Sequence, residues 1–356
     1  MRLYTIALAG LSLSALAACD SQPSAPAGGS AATGGQALRI VGSSTVYPFT
    51  TAVAESFQRK TPGTAAPIVE STGTGGGIKL FCGGVGVQHP DIANASRRIK
   101  KSEVEQCNAN GVNQIVEIQV GLDGIALAQA KSDAAMDLTP AQIFLALAAT
   151  TPDGKPNTAK NWNEIDPKLP NRKIEVLGPP PTSGTRDAFN ELVMEAGCKG
   201  FDNLKALKDT NEDEFKSRCT KLREDGVYVE AGENDNLIVQ KLAANPTALG
   251  IFGYSYLEEN LDKVAGIKVG GVAPVYDAIA DGSYPASRAL YIYAKGEHAK
   301  AKPALAAFLA EYTSEATWGP TGYLKGRGLI ASPDAVRAAN AAAAKAMTAM
   351  DASVLK

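Results

Sequence analysis

The chain has 356 residues, with 35 basic against 37 acidic side chains and a formal charge of −2. That balance excludes a surface built to coat nucleic acid. The apolar fraction of 45% and charged fraction of 20% belong to a globular protein with a real core, and the length suits two domains at roughly 100–200 residues each. Two histidines argue against a multi-histidine metal site, and five cysteines, an odd number, need an explanation.

The first residues supply it. After Met1-Arg2 an apolar run, Leu3 to Ala15, is too short to span a bilayer but suits the core of a secretory signal. It ends in Leu16-Ala17-Ala18-Cys19, which resembles the bacterial lipobox, where small residues precede a cysteine that is lipidated and becomes the mature N-terminus. Residues 1–18 are therefore expected to be a signal peptide and Cys19 a lipid anchor. Asp20 after it implies retention at the inner membrane. Residues 19–37 lack periodicity and large apolar side chains and read as a disordered tether. Four cysteines remain, and export to an oxidising compartment favours disulfides. The simplest pairing is local, Cys82–Cys107 and Cys198–Cys219, each loop contributing ~3 kcal/mol in the chain-entropy picture. No C-x-x-C spacing supports zinc instead.

Along the body, strands and helices alternate. Leu38–Val41 predicts a strand, and Val46 to Arg59 a helix with Val46, Phe49, Val53 and Phe57 on one side. Strands at 66–69 and 91–95, a helix from Ile78, a helix at Lys101–Ala109 and a strand at 115–119 follow. A second block begins near Lys131. Thr139-Pro140 starts a helix through Ala149, residues 151–172 read as loop, and Ile174–Leu177 is a strand. A helix over Arg186–Ala196, a strand at 227–230, a helix at 236–244 and a strand at 248–253 complete it. A strand at Ala289–Ala294 and an alanine-rich helix from Ala335 to Met350 close the chain. This order predicts an α/β fold with mainly parallel sheets flanked by helices.

Three strand-to-helix turns carry the chemistry: Gly42-Ser43-Ser44-Thr45, Thr72-Gly-Thr-Gly-Gly-Gly77 and Thr182-Ser183-Gly184-Thr185. A helix start offers unpaired N–H groups and partial positive charge, hydroxyls can cap it or donate to an anion, and glycine lets the anion approach. Any one such turn is an ordinary cap. Three in separate strand–helix units point to a small-anion site at the carboxyl ends of the strands. The glycine turn has neither the P-loop spacing nor the dinucleotide fingerprint, since Ile78 stands where the last glycine would be.

Gly42-Ser-Ser-Thr-Val-Tyr-Pro48 resembles the first anion turn of the periplasmic phosphate-binding proteins of ABC transporters. Gly73-Thr-Gly-Gly-Gly77, Ile92-Ala-Asn-Ala-Ser96, Thr182-Ser-Gly-Thr-Arg-Asp-Ala-Phe189 and Tyr284-Pro-Ala-Ser-Arg-Ala-Leu-Tyr291 are similar to that family's later segments, in order, across residues 38–350. The resemblance implies a type II periplasmic-binding-protein fold. Residues 38–128 plus 288–350 would form one lobe and 129–287 the other, with a two-strand hinge near Ile125–Ala128 and Arg288–Tyr293. It implies a monomeric receptor without cofactor, tethered in the periplasm, that holds inorganic phosphate and meets inner-membrane permease subunits. Carried over position by position, the phosphate-binding residues are Ser44, Thr45, Val46, Thr74, Ser96, Ser183, Gly184 and Thr185. Two positions depart from the family's pattern. Arg97 stands where many members have an aspartate that accepts the phosphate's proton, and Pro179 where many have a donor arginine. Arg97 or Arg186 can supply the cation in a bidentate grip, Arg186 having Asp187 as its alternative partner. Asp187 and Asp235 are the candidates for the acceptor.

Sulfate or molybdate in place of phosphate, a sensor that serves no permease, and a serine hydrolase are the competing functions. The hydrolase lacks a base. His89 precedes Pro90 in a loop, His298 sits in Lys295-Gly-Glu-His-Ala-Lys300, and both read as solvated surface residues; no G-x-S-x-G elbow occurs.

Overall fold

The computed structural model describes residues 36–132, 135–232 and 235–355. The signal segment 1–18, Cys19 and nearly all of the 19–37 tether lie outside them. The strands are β1 (Arg39–Gly42), β2 (Ile68–Ser71), β3 (Ile92–Ala95), β4 (Ile115–Ala130), β5 (Asp137–Leu138), β6 (Val176–Gly178), β7 (Tyr228–Glu230), β8 (Leu249–Gly253), β9 (Val264–Gly266), β10 (Lys268–Val269) and β11 (Ser287–Lys295).

Nine of them form one sheet in the order β2-β1-β3-β11-β4-β8-β6-β7, with β9 added to β4. β1 runs parallel to β2 and β3, and β6 runs parallel to β7 and β8. The centre differs from a purely parallel arrangement, because β11 is antiparallel to β3 and β4, and β4 is antiparallel to β8 and β9. Helices leave the carboxyl ends of the parallel strands. Tyr47–Lys60 carries Pro48 in its first turn and ends on Arg59 and Lys60, the charge sense that suits a helix dipole. At Pro140–Leu147 the Thr139 hydroxyl accepts from Gln142 N–H while the Gln142 side chain returns to the Thr139 N–H, a reciprocal cap.

β4 is 16 residues long; the local pattern marked its first five, and the family resemblance placed a strand near Ile125–Ala128 in its far part. Its early part pairs with β11 as far as Gly124 opposite Ser287, and from Ile125 it pairs with β8. Ile125 N–H also donates to Ala286 O at 2.8 Å, and Tyr284 Oη donates to Ile125 O at 2.9 Å. The segments Ile125–Ala128 and Arg288–Tyr293, expected as the hinge, are each bonded within one side of the sheet. The exchange of partners falls at Gly124 and Ser287, because ladder bonds hold the residues beyond. The core divides in the same way. One cluster takes residues from Leu122 to Ala286, with Ile330, and two others are drawn from residues before 121 and after 289.

The disulfides Cys82–Cys107 and Cys198–Cys219 close loops of 25 and 21 positions. The first ties the end of helix Thr74–Phe81 to helix Lys101–Ala109. The second ties the helical run from Gly184 to Cys198 to helix Glu212–Thr220. That last helix and its neighbour Asp202–Thr210 have no counterpart in the sequence reading, because they bury only Leu204, Phe215 and Cys219 and so carry little apolar periodicity. His298 corrects the expectation of a surface residue. It is only 5% exposed, its Nδ1 lies 2.6 Å from Asp91 Oδ1, and its Nε2 accepts from Gly86 N–H. His89 is half-buried against Gly83 and Gly84.

Candidate anion-binding site

The first turn, the glycine turn and the end of β3 are knitted into one group. Ser43 N–H donates to Asn94 O at 3.0 Å, and Thr72 N–H to Gly42 O at 2.9 Å. Ser96 N–H donates to Thr74 Oγ1 at 3.0 Å, and the two hydroxyls lie 2.9 Å apart. Glycine makes the packing possible. A Cβ on Gly77 would come within 2.3 Å of Gly42 Cα, so the start of helix Thr74–Phe81 can sit on the first turn only without side chains there. Val46 N–H is taken by Ser43 Oγ at 3.3 Å.

The second group sits at the end of β6. Ser183 caps the helix, its Oγ accepting from Thr185 N–H at 3.2 Å, while nothing lies within 4 Å of the space beside Gly184. The helix runs Gly184–Phe189, passes through a π-helical stretch at Asn190–Met194 and ends at Cys198. Such π turns are frequent at functional sites, and this one carries Glu191.

The two groups meet. Ser44 Oγ donates to Asp187 Oδ2 at 3.2 Å. Arg288 Nη2 donates to Thr45 Oγ1 at 3.0 Å, its Nε donates to Asp123 Oδ2 at 3.2 Å, and its Nη1 pairs with Glu191. Asp123 and Arg288 stand opposite each other in the register of β4 and β11. Neither was singled out as a site residue from the sequence. The available signal was a lone charge inside an apolar strand on each side, Gly121-Leu-Asp123-Gly-Ile and Ser287-Arg288-Ala-Leu. Burial raises the Asp123 carboxyl above the ordinary range against the pull of Arg288. Burial also raises Asp187, with Glu191 adding to it and the Ser44 hydroxyl opposing.

The two candidate arginines are placed differently. Arg97 grips Glu103 with both terminal nitrogens, at 2.7 and 2.9 Å. Arg186 is 8% exposed and does not pair with Asp187. Its Nη1 donates to Pro179 O at 3.1 Å, its guanidinium lies 4.5 Å above the centre of the Tyr228 ring, and its Nε has no hydrogen-bond partner. Among the described residues Arg186 therefore makes no ion pair. The side chain of Asp235, the other acceptor candidate, lies outside what the structure describes.

A PBP superfamily domain model matches residues 21–316 of the chain. The chain is 34% identical to Protein SphX of Synechococcus elongatus over 73% of its own length and 68% of that protein's. It is 31% identical to the Phosphate-binding protein PstS of Staphylococcus saprophyticus, over 71% and 68% of the two chains. Among solved structures it superposes on a possible phosphate binding protein from Planctomyces limnophilus with a TM-score of 0.71 and 28% identity, covering 88% of this chain and 99% of that one.

Proposed function

The chain belongs to the PBP superfamily, and from that premise we propose that it is an exported receptor, not an enzyme, which captures inorganic phosphate between two lobes and hands it unchanged to an inner-membrane ABC permease. The observation that carries this reading is the meeting of the Ser44–Thr45 and Ser183–Asp187 turns, drawn from opposite sides of the change of partners along β4. Relatives named for phosphate binding support it.

In this reading residues 38–128 with 288–350 are one lobe and 129–287 the other, and closure surrounds the anion with donors from both. Thr45, Thr74 and Ser96 face it from the first lobe, and Ser183, Gly184 and Thr185 from the second. Arg186 supplies the cation, since Arg97 is already committed to Glu103. Asp187, rather than an acid after Ala95-Ser96, accepts the phosphate's proton, and an acceptor there rejects fully ionised sulfate. The receptor is a monomer held at the periplasmic face of the inner membrane by lipid on Cys19. Among the described residues no helix is long and apolar enough to cross a membrane.

Calorimetric titration of the ligand-free mature protein with phosphate, sulfate and arsenate tests this. Heat from phosphate and arsenate is the expected result. Heat from sulfate with none from phosphate replaces the ligand, and turnover of a phosphate ester that vanishes in Ser183→Ala restores the hydrolase. Cys19→Ala is expected to release the protein from membranes.

A further inference from the structure

Arg288 joins three elements of the molecule at one guanidinium. It stands opposite Asp123 in the register of β11 and β4, one position from the Gly124–Ser287 pair where β4 changes partners. Its Nε donates to Asp123 Oδ2, its Nη2 to Thr45 Oγ1, and its Nη1 pairs with Glu191. Asp123 and Thr45 belong to one side of the change of partners, and Glu191, on the π-helical stretch Asn190–Met194, belongs to the other. The Arg288 side chain is 11% exposed and that of Glu191 50%. The bond to Thr45 also decides where a proton goes. A hydroxyl has one proton to give and accepts through its lone pairs, whereas a guanidinium only donates. With Arg288 on its oxygen, Thr45 cannot turn its own proton that way, and among the described residues that proton has no acceptor. The Ser183 hydroxyl is set in the same manner from the other side: it accepts from Thr185 N–H, and its proton has no acceptor among the described residues either. Ser44 is the contrast, since its proton goes to Asp187. Two hydroxyls from opposite sides thus keep their protons for an anion.

We propose that Arg288 is a positioning residue of the anion site, which turns the Thr45 hydroxyl proton toward the anion and, through Glu191, ties the second side to the first. The Thr45 half rests on the receptor reading above, while the tie to Glu191 exists without an anion. A planar guanidinium suits both tasks, because its donors keep fixed directions to three partners, which the rotating ammonium of a lysine does not. A tie present only when the two sides are together slows their parting and leaves their first encounter with the anion unchanged, so it acts on release.

The first test is a double-mutant cycle read as phosphate Kd by calorimetry on the mature chain. It is run in an Asp123→Asn background, so that removing Arg288 leaves no buried carboxylate unpaired. Thr45→Val is expected to raise the Kd about tenfold and Arg288→Met at least as much. Because Arg288 acts through Thr45, the two together are expected to match Arg288→Met alone. A combined loss equal to the product of the separate losses overturns the positioning role. The second test uses Glu191→Gln, at a half-exposed position that does not threaten the fold. Stopped-flow mixing is expected to show phosphate release faster by about twofold to fivefold with the association rate unchanged. Solution scattering of the ligand-free variant is expected to show a larger radius of gyration than the parent. A change confined to association, or an unchanged radius of gyration, overturns the tie. If phosphate gives no heat with the parent chain, the receptor reading fails and the Thr45 half falls with it, while the scattering comparison still decides the tie.

Discussion

Two acid clusters in this molecule, one buried around Asp91 and one partly buried around Asp123 and Asp187, use similar residues and reach opposite electrostatic states. At the first, Asp91 accepts from Lys302 Nζ at 2.9 Å and from Arg39 N–H at 2.8 Å, and it faces His298 Nδ1 at 2.6 Å. Since His298 Nε2 accepts from Gly86 N–H, the ring's proton sits on Nδ1 and also serves Asp91. Burial raises the Asp91 carboxyl, but these donors outweigh it and hold the group below the ordinary aspartate range. At the second, Asp123 and Glu191 share Arg288, which is also bonded to Thr45, and Asp187 has only the Ser44 hydroxyl. Burial wins there, and both aspartates are raised. The number of donors per carboxylate separates the two. A saturated cluster fixes the loop around Gly86 to the strand and helix beneath it. A cluster with more acceptors than donors suits a ligand that brings protons of its own.

The sharpest way to break this contrast is at Asp91. Asp91→Asn leaves Lys302 buried without its counter-charge, and a loss of about 3–5 kcal/mol in denaturant unfolding is expected, with phosphate affinity unchanged. Because the folded value is lowered, the stability from Asp91 is present above the unfolded value near about 4 and is lost as pH falls through the lower folded value. The variant is therefore expected to show a shallower acid limb, and an equally steep one would contradict the assignment.

Next in size is the anion side. Arg186→Met is expected to weaken phosphate binding by about tenfold to a hundredfold in titration, the loss that goes with one charge-assisted contact, whereas Arg97→Met is expected to change it little. A larger effect at Arg97 would exchange their roles. The third test is pH. Burial raises the Asp187 carboxyl, so it gains the ionised form that can accept the phosphate's proton only as pH rises above the ordinary aspartate range. Phosphate affinity is therefore expected to rise as pH rises in the acidic range below phosphate's own second ionisation, and Asp187→Asn is expected to flatten that rise. The smallest expected effect is at Ser44→Ala. It removes one hydroxyl contact between the two turns and should cost about 0.5–1.5 kcal/mol of binding, read as a modest rise in Kd.

Much of the scaffold was legible because its signals are local. The Thr139-Pro140 start, the Lys101–Ala109 helix and the strand-to-helix turns each depend on residues within a few positions of one another. The pairing of Cys82 with Cys107 and Cys198 with Cys219 followed from loop length and an odd cysteine set aside. The continuity of β4 was hidden from the local pattern, because a central strand buried on both faces shows no alternation to mark where it continues, and only the family resemblance placed a strand near Ile125–Ala128. His298 was misplaced for a related reason. Its neighbours Lys295, Glu297 and Lys300 suggest solvent, yet Lys295 and Lys302 are themselves buried, and burial lowers the Lys295 ammonium to about 8.

What the sequence determined by itself is the supply of parts: three small-residue turns at helix starts, the cysteine pairs, the alternation that builds the sheet, and a motif order similar to a known family. Only the tertiary structure decided which charges answer which. Asp123 and Arg288 are 165 positions apart, and Asp91 lies 207 and 211 positions from His298 and Lys302. Caps and periodicity act over a turn or two of chain. Ion pairing and proton affinity depend on strand register and on the removal of water, and both arise only when distant segments pack together.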